Sequence, residues 1–387
     1  MEEETVKGFS NYTGDSALLR EKIKEIIVRT FKLYGFNPAE TPIIEFEEFV
    51  KGNNEFDEAV SDIFKLKDKG ERKLALRYEF TFQLKRIAKN KKLPYKRYQI
   101  GEVFRDEPVS SNRFRQFTQC DADIVGSSFK EEAELLSLAT NLLKQLGIKS
   151  EIQINNRKLL NSVIKSFDIN NTEFVIREID KLDKDEDQVK ANLAKFISKD
   201  KIVKLLKIFD KPLEFFKKME GHEELKELLE LCKLYKLDVK FKPNLARGLS
   251  YYNGAIFEIK TLGIKETIAA GGSYLVNNIP ASGISFGLER LAQLAKIKLE
   301  NKSILIININ QDKKAVSLAE KLRKQKIEVT ISDKVSKGLE YANSYNVQNV
   351  IFLGSEEVKK KKFKLRDMKT GKESLMNEKE ILSCFSL

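Results

Sequence analysis

Cysteine and histidine are scarce in this 387-residue chain, and long apolar runs are missing altogether. Cys120, Cys232 and Cys384 are few, odd in number and far apart, which argues against a disulfide framework or a cysteine-built metal centre. His222 is the only histidine and lies in a charged helical stretch, so a Ser-His-Asp triad and a histidine-ligated zinc are also disfavoured. If a metal takes part, Mg²⁺ held by carboxylates and phosphates suits these residues best. No segment approaches the roughly 20 apolar residues of a membrane-spanning helix. The acidic opening MEEETVKG lacks the basic and apolar regions of a secretory signal, so a cytoplasmic location is the expectation. Positive charge, by contrast, is in excess: the formal net charge is +12 and the pI is about 9.2, a mild indication of a polyanionic partner such as nucleic acid.

The length suits two or three domains, and the pattern changes along the chain accordingly. Residues 15 to 34 carry apolar side chains at helical spacing, with Asp15 as candidate N-cap and Gly35 just past the end. FNPAETPIIEF reads as extended, with Pro38 and Pro42 confining it to a strand start or a sheet edge. KLALRYEFTFQLKRIAKN opens extended, which puts Arg77, Glu79 and Thr81 on one strand face, and turns helical near Thr81. A helix from Lys130 to Leu146 ends at Gly147. From about Asn156 to Leu237 the composition shifts to Lys, Glu, Asp and Leu in helical periods, which reads as a helical module inserted into another fold. LARGLSYYNGAIFEIK returns to strand character, and SGISFGLERLAQLAK reads as strand, glycine, helix. Arg290 then falls in a helix's first turn, where the macrodipole disfavours a cation; a nearby anion or the adjacent Glu289 would explain it. From Ser303 onward strands and helices alternate, which implies a separate small α/β domain with a parallel sheet, and Thr370-Gly371 reads as a turn between its last two strands.

The stretch from Tyr98 to Gly126, YQIGEVFRDEPVSSNRFRQFTQCDADIVG, reads as a hairpin with a long polar tip. Alternation puts Phe117, Gln119, Asp121, Asp123 and Val125 on one face and Thr118, Cys120, Ala122 and Ile124 on the other. Arg105 ends the first strand, and Arg113 and Arg115 re-enter the second, so three guanidinium groups are placed to converge on an anion. An ordinary surface hairpin with solvated charges fits the same pattern.

These stretches together resemble a class II aminoacyl-tRNA synthetase, most closely the histidyl family of the archaeal and eukaryotic kind. YGFNPAETPIIE resembles motif 1, the dimer-interface motif; KRYQIGEVFRDEP and RFRQFTQCDADIVG are similar to motif 2; ARGLSYYNGAIFE resembles the histidyl signature, and GISFGLERL motif 3. NVIFLGSEEV and KLRDMKTG look like an anticodon-binding domain. The resemblance implies an α+β fold: a class II catalytic core with an antiparallel sheet flanked by helices, built from residues 1–155 and 239–300. It also implies a helical insertion at 156–238 and an anticodon-binding domain at 303–387. It implies activation of histidine by ATP, with Mg²⁺, then transfer to tRNA-His by a homodimer. Arg105 and Arg247 would hold the α-phosphate and the substrate carboxylate, with Arg247 in a place other class II enzymes give to a metal. Arg113 and Arg290 would bind the outer phosphates of ATP. Glu79, Thr81 and Gln119 would bind the α-amino group, and Asp123 and Tyr252 the imidazole nitrogens. The sequence departs from the family at Ser250, where RGLDYY is usual, and at Ser273 and Leu275, where GGRYD is usual. Two other readings stand beside this one: a catalytically silent paralogue that senses histidine or regulates a histidine-biosynthesis enzyme, and a basic nucleic-acid-binding protein without chemistry.

Overall fold

The computed structural model describes residues 3–52, 58–110, 112–248, 250–261, 264–299 and 303–385. Ser111 of the hairpin tip and Leu249 of the RGLSYY stretch lie outside the described residues. The chain divides into two units, Met1–Ile297 and Lys298–Leu387.

In the first unit, the opening apolar stripe forms α1, Gly14–Leu33, which buries Ile23, Ile26, Ile27 and Phe31. The helix starts earlier than expected. Thr13 holds the N-cap position without a side-chain cap bond, and Asp15 lies inside the first turn, where its charge suits the positive end of the helix. Gly35 follows the helix at φ +80°, a conformation a side chain would resist.

An eight-stranded sheet carries the unit. Its strands are β1 (Asn37–Pro38), β2 (Tyr95–Phe104), β3 (Gln116–Val125), β4 (Glu151–Asn156), β5 (Val239–Phe241), β6 (Ala255–Thr261), β7 (Ile264–Val276) and β8 (Ile279–Gly287). Their spatial order is β1-β2-β3-β8-β7-β6-β4-β5, and the pairs are antiparallel except the two edge pairs, β1 with β2 and β4 with β5. The proline-bearing β1 is an edge strand, where a missing backbone donor disrupts no ladder. β2 and β3 form the expected hairpin, with Tyr98 opposite Ala122 and Gly101 opposite Gln119.

The two faces of β3 differ as alternation requires. Cys120, Ala122 and Ile124 are fully buried in a core that includes Ile27 of α1 and Leu135 and Leu142 of α3, Phe129–Gln145. That helix is fixed at its start by a capping box, in which the Glu131 carboxylate accepts from the Ser128 backbone N–H at 2.8 Å. A shorter helix, α2 (Thr81–Ile87), precedes β2, and α9 (Leu288–Leu294) follows β8.

Residues 157–234 form α4 (Arg157–Lys165), α5 (Thr172–Ile179), α6 (Glu186–Leu193), α7 (Lys199–Ile208) and α8 (His222–Leu234). Their apolar faces, including Leu160, Ile176 and Leu228, join the same core as α3 and β4. The helical segment therefore belongs to the first unit and has no core apart from it.

The second unit holds β9 (Ile304–Asn308), β10 (Val329–Ser332), β11 (Asn349–Leu353), β12 (Phe363–Asp367) and β13 (Glu373–Met376), ordered β10-β9-β11-β12-β13. The first three are parallel, as the alternation of strands and helices implies. The last two run antiparallel, so the sheet is mixed and not purely parallel. Gly371, at φ +70°, closes the turn between them. Leu305, Ile306, Leu318 and Ile351 are fully buried in the unit's own core.

Candidate active site

Over the polar face of β3 and β8 opens a cleft. It is lined by Glu79, Thr81, Arg105, Arg113, Gln119, Asp123, Arg247, Tyr252 and Arg290, which are all the residues given a substrate contact from the sequence.

The floor is made by register. β3 puts Asp123 opposite Arg97 of β2 on one side and Gly283 of β8 on the other. Arg97 has no exposed surface, and its Nη2 lies 2.9 Å from Asp123 Oδ2. The Tyr274 hydroxyl donates to Asp123 Oδ1. A Cβ at position 283 would stand 2.1 Å from that same oxygen, so only glycine leaves room for the carboxylate. Four residues nearer the tip, or about 13 Å along the strand, Gln119 Nε2 donates to Ser285 Oγ at 2.8 Å. Gln119 Oε1 is buried and has no partner among the described residues, which leaves it free to accept from a ligand N–H.

The strand that precedes α2 ends at Leu76, and Arg77, Glu79 and Thr81 do not share a strand face. Arg77 turns away from the cleft and donates to the carbonyls of Thr41 and Glu102 at 2.7 and 2.8 Å. Glu79 stays in the cleft, 5% exposed, and accepts from the Phe82 backbone N–H at 3.1 Å. Burial pushes its carboxyl above the usual range, against the Thr81 hydroxyl and the Arg105 charge. Tyr252 is buried and Tyr251 partly so; burial raises the hydroxyl pKa values of both, and they stay protonated donors.

The arginines are held at the walls. Arg105 donates through Nε to the Tyr78 carbonyl at 3.2 Å and lies 5.1 Å over the Phe117 ring. Arg113 is half exposed at the hairpin tip, 3.2 Å from Glu107. Arg247 meets Glu258 at 2.5 Å, Glu258 accepts from the Thr267 hydroxyl at 2.8 Å, and Arg290 donates to the Thr267 carbonyl at 2.6 Å. Burial opposes charge on Arg247, but Glu258 more than restores it and holds the guanidinium protonated. Arg115 does not converge with the others as the pattern suggested. It pairs with Asp106 at 3.0 Å and donates to the Glu107 carbonyl, outside the cleft lining. Glu289, offered as a partner for Arg290, pairs with Arg20 at 3.0 Å and accepts from the Thr118 N–H at 3.1 Å.

Sequence reasoning gave no role to Asp121, Arg97 or Tyr274. Asp121 was visible to alternation, since it shares the face of Gln119 and Asp123; burial and the Asp123 charge push its carboxyl up to about 7 against the pull of Arg97. Arg97 and Tyr274 depend on strand register, which spacing alone does not fix. Of the departures, Ser273 donates to Glu132 at 2.5 Å, while Leu275 and Ser250 are exposed.

The sheet, the hairpin with its arginines and the carboxylate-lined floor define the α+β catalytic core of a class II aminoacyl-tRNA synthetase. A family model described as histidyl-tRNA synthetase matches residues 8–291, and one described as anticodon binding domain matches residues 303–386. Histidine–tRNA ligase 1 of Bacillus cereus (strain ZK / E33L) is 35% identical, with 96% of this chain and 97% of that protein covered. Histidine–tRNA ligase of Clostridium acetobutylicum is 32% identical, with 97% of each covered. The crystal structure of histidyl-tRNA synthetase from Nostoc sp. PCC 7120 superposes with a TM-score of 0.85 at 24% identity, over 100% of this chain and 99% of that one. The chain belongs to the histidyl-tRNA synthetase family. These relatives are bacterial, so the archaeal and eukaryotic kind suggested by the sequence finds no support in them.

Proposed function

We propose that the chain is an ATP-dependent, AMP-forming histidine–tRNA ligase. The observation that carries this reading is the meeting, in one cleft, of Arg105, Arg113, Arg247 and Arg290 with the buried polar floor of Gln119 and Asp123.

Histidine's carboxylate attacks the α-phosphate of ATP in line; the new C–O–P bond forms as the bond to the β-phosphate oxygen breaks, and pyrophosphate leaves. Mg²⁺, if it enters with ATP, would supply further positive charge to the outer phosphates beside Arg113 and Arg290. Charge builds on the phosphoryl oxygens, so fixed guanidinium groups in a partly dry cleft lower the barrier by positioning and electrostatics. Arg105 and Arg247 hold the α-phosphate and the attacking carboxylate; Arg113 and Arg290 hold the outer phosphates. Glu79, Thr81 and the unpartnered Gln119 Oε1 take the α-ammonium. Asp123 accepts from one imidazole N–H and the Tyr252 hydroxyl donates to the other nitrogen, a pairing that fits a ring with one donor and one acceptor. A buried polar pocket rejects amino acids that leave its groups unpaired. The 2′- or 3′-hydroxyl of the terminal nucleotide of tRNA-His then displaces AMP from the adenylate.

The domain assignment goes with this reading: residues 1–155 and 239–300 act as catalytic core, 156–238 as an insertion, and 303–387 reads the anticodon. A homodimer is proposed from the exposed Ile43, Ile44 and Phe46, 43, 50 and 57% accessible, which lie in and just after the stretch that resembles the dimer motif. No helix among the described residues is long and apolar enough to cross a membrane, which is compatible with a cytoplasmic location. A silent paralogue would not need this set of arginines together with an anticodon-binding domain. The test is charging of tRNA-His with radiolabelled histidine by the purified full chain. Histidine-specific charging is expected; a folded chain that binds histidine and forms no charged tRNA would favour the paralogue.

A further inference from the structure

Among the carboxylates that line the cleft, Glu79, Asp121 and Asp123 are each about 95% buried. The fully buried guanidinium of Arg97 is engaged with Asp123, at 2.9 Å. Asp121 itself makes no ion pair among the described residues. Across β2 it faces Gln99, which donates to Thr41 Oγ1, and across β8 it faces Ser285. Along its own strand lie Asp123 and Gln119, whose Nε2 reaches it only at 3.4 Å. From the segment before α2, Arg77 and Glu79 act on it electrostatically, but the Arg77 guanidinium is bonded to two backbone carbonyls. Arg97 also acts on it, but that guanidinium is paired with Asp123; a buried carboxylate with no direct ion pair, beside a second carboxylate, is pushed towards its protonated form.

Resting on the ligase reading above, we propose that Asp121 is a specificity-determining residue of the amino-acid pocket: it holds a proton while the cleft is empty and releases it when the substrate's α-ammonium enters. The ammonium adds a positive charge that Arg97, held by Asp123, and Arg77, held by two carbonyls, do not supply to Asp121 by direct pairing, and the ionised Asp121 in turn favours a cationic amine over a neutral analogue. The proton goes to solvent, and the carboxylate left behind accepts from the Gln119 amide and Ser285 hydroxyl already turned towards it. Its effect on substrate runs through Gln119 and the local field, so it is a positioning group, distinct from the phosphate-binding arginines.

The experiment is calorimetric titration of histidine into the full-length protein in buffers of different ionisation enthalpy, which counts protons exchanged on binding, repeated with Asp121→Asn. With Asp121 titrating at about 7 in the empty cleft, release of about half a proton per site is expected at pH 7. Because protons leave on binding, the affinity of the wild-type chain for histidine should weaken about tenfold from pH 8 to pH 6. In Asp121→Asn the release should fall by about that half proton and the pH dependence of the affinity should shrink by about the same tenfold, whatever the absolute affinity; protons shed by histidine's own imidazole are common to both proteins and cancel in the difference. A wild-type chain that binds histidine at pH 7 without releasing protons overturns the proposal even if the variant does not fold. Equal proton release by both proteins also overturns it, as a merely structural role for Asp121 would not alter the count. No histidine binding at any pH would instead overturn the ligase reading itself.

Discussion

Arg113 and Arg247 both present a guanidinium to the cleft, yet they should respond differently to truncation because they are held differently. Arg113 is 48% exposed and its ion pair with Glu107 is at the surface, worth about 0–1 kcal/mol. Arg113→Ala is therefore expected to raise the KM for ATP at least tenfold while the melting temperature moves by no more than a degree or two, read by pyrophosphate exchange and calorimetry. Arg247→Ala removes the closer partner of Glu258, whose side chain is 9% exposed, and leaves it only Lys260 at 3.9 Å. Stranding a buried carboxylate costs up to about 3–5 kcal/mol, so this variant should lose stability as well as activity. Double replacement with Glu258→Gln should restore much of the melting temperature without restoring adenylation. At this scale the sequence was informative where a strand period sorts neighbours, as it did for Gln119, Asp121 and Asp123. It was silent on the pairing of Arg97 with Asp123, because that contact belongs to the register between two strands, and it misplaced Arg115, whose nearest anion is its own hairpin's Asp106.

Among the elements, β8 and α3 make separable demands. Gly283→Ala would push a methyl group into Asp123 Oδ1, 2.1 Å away. The carboxylate must move off Arg97 and Tyr274, so the KM for histidine should rise by an order of magnitude or more while the KM for ATP changes little, as steady-state kinetics would show. On α3, Glu132 is 4% exposed and its carboxyl is pushed up to about 7 by burial, which the Ser273 hydroxyl only partly offsets. Its folded pKa lies above the unfolded value, so its stabilising contribution is fully present below about pH 4.5 and is lost as the pH rises to and through about 7. Glu132→Gln should then stabilise the chain at pH 8, by up to roughly 3 kcal/mol, and have little effect at pH 4.5; chemical denaturation at the two pH values checks this. Helices announced by long apolar stripes, such as α1 and α3, were legible to within a residue or two. The stretch from Arg77 to Phe80 was not: its β-prone composition suggested strand, but the backbone leaves the sheet there so that Glu79 and Thr81 reach the cleft and Arg77 ties down two neighbouring carbonyls.

For the whole molecule, the change of pattern at Ser303 located the second unit because a strand–helix alternation differs from the preceding fold in period and in turn chemistry. The antiparallel β12–β13 pair was not anticipated as part of a mixed sheet, since direction is a property of connection and not of composition. The helical segment looked separable in sequence, yet its apolar faces complete the core begun by α3, a relation fixed only when the chain folds back. Deleting residues 303–387, which have their own buried core, should leave adenylate formation within a few-fold and reduce tRNA charging by at least a hundredfold, compared in the two assays. The charge of +12 should make tRNA affinity fall steeply with added salt, while histidine affinity falls little.

The central claim is that this cleft activates histidine, and histidine-dependent exchange of labelled pyrophosphate into ATP tests it most directly, with the other amino acids as controls. The account predicts exchange with histidine alone, abolished in Arg247→Ala and strongly reduced in Arg113→Ala. A folded wild-type chain that exchanges with no amino acid, or equally well with several, would contradict it.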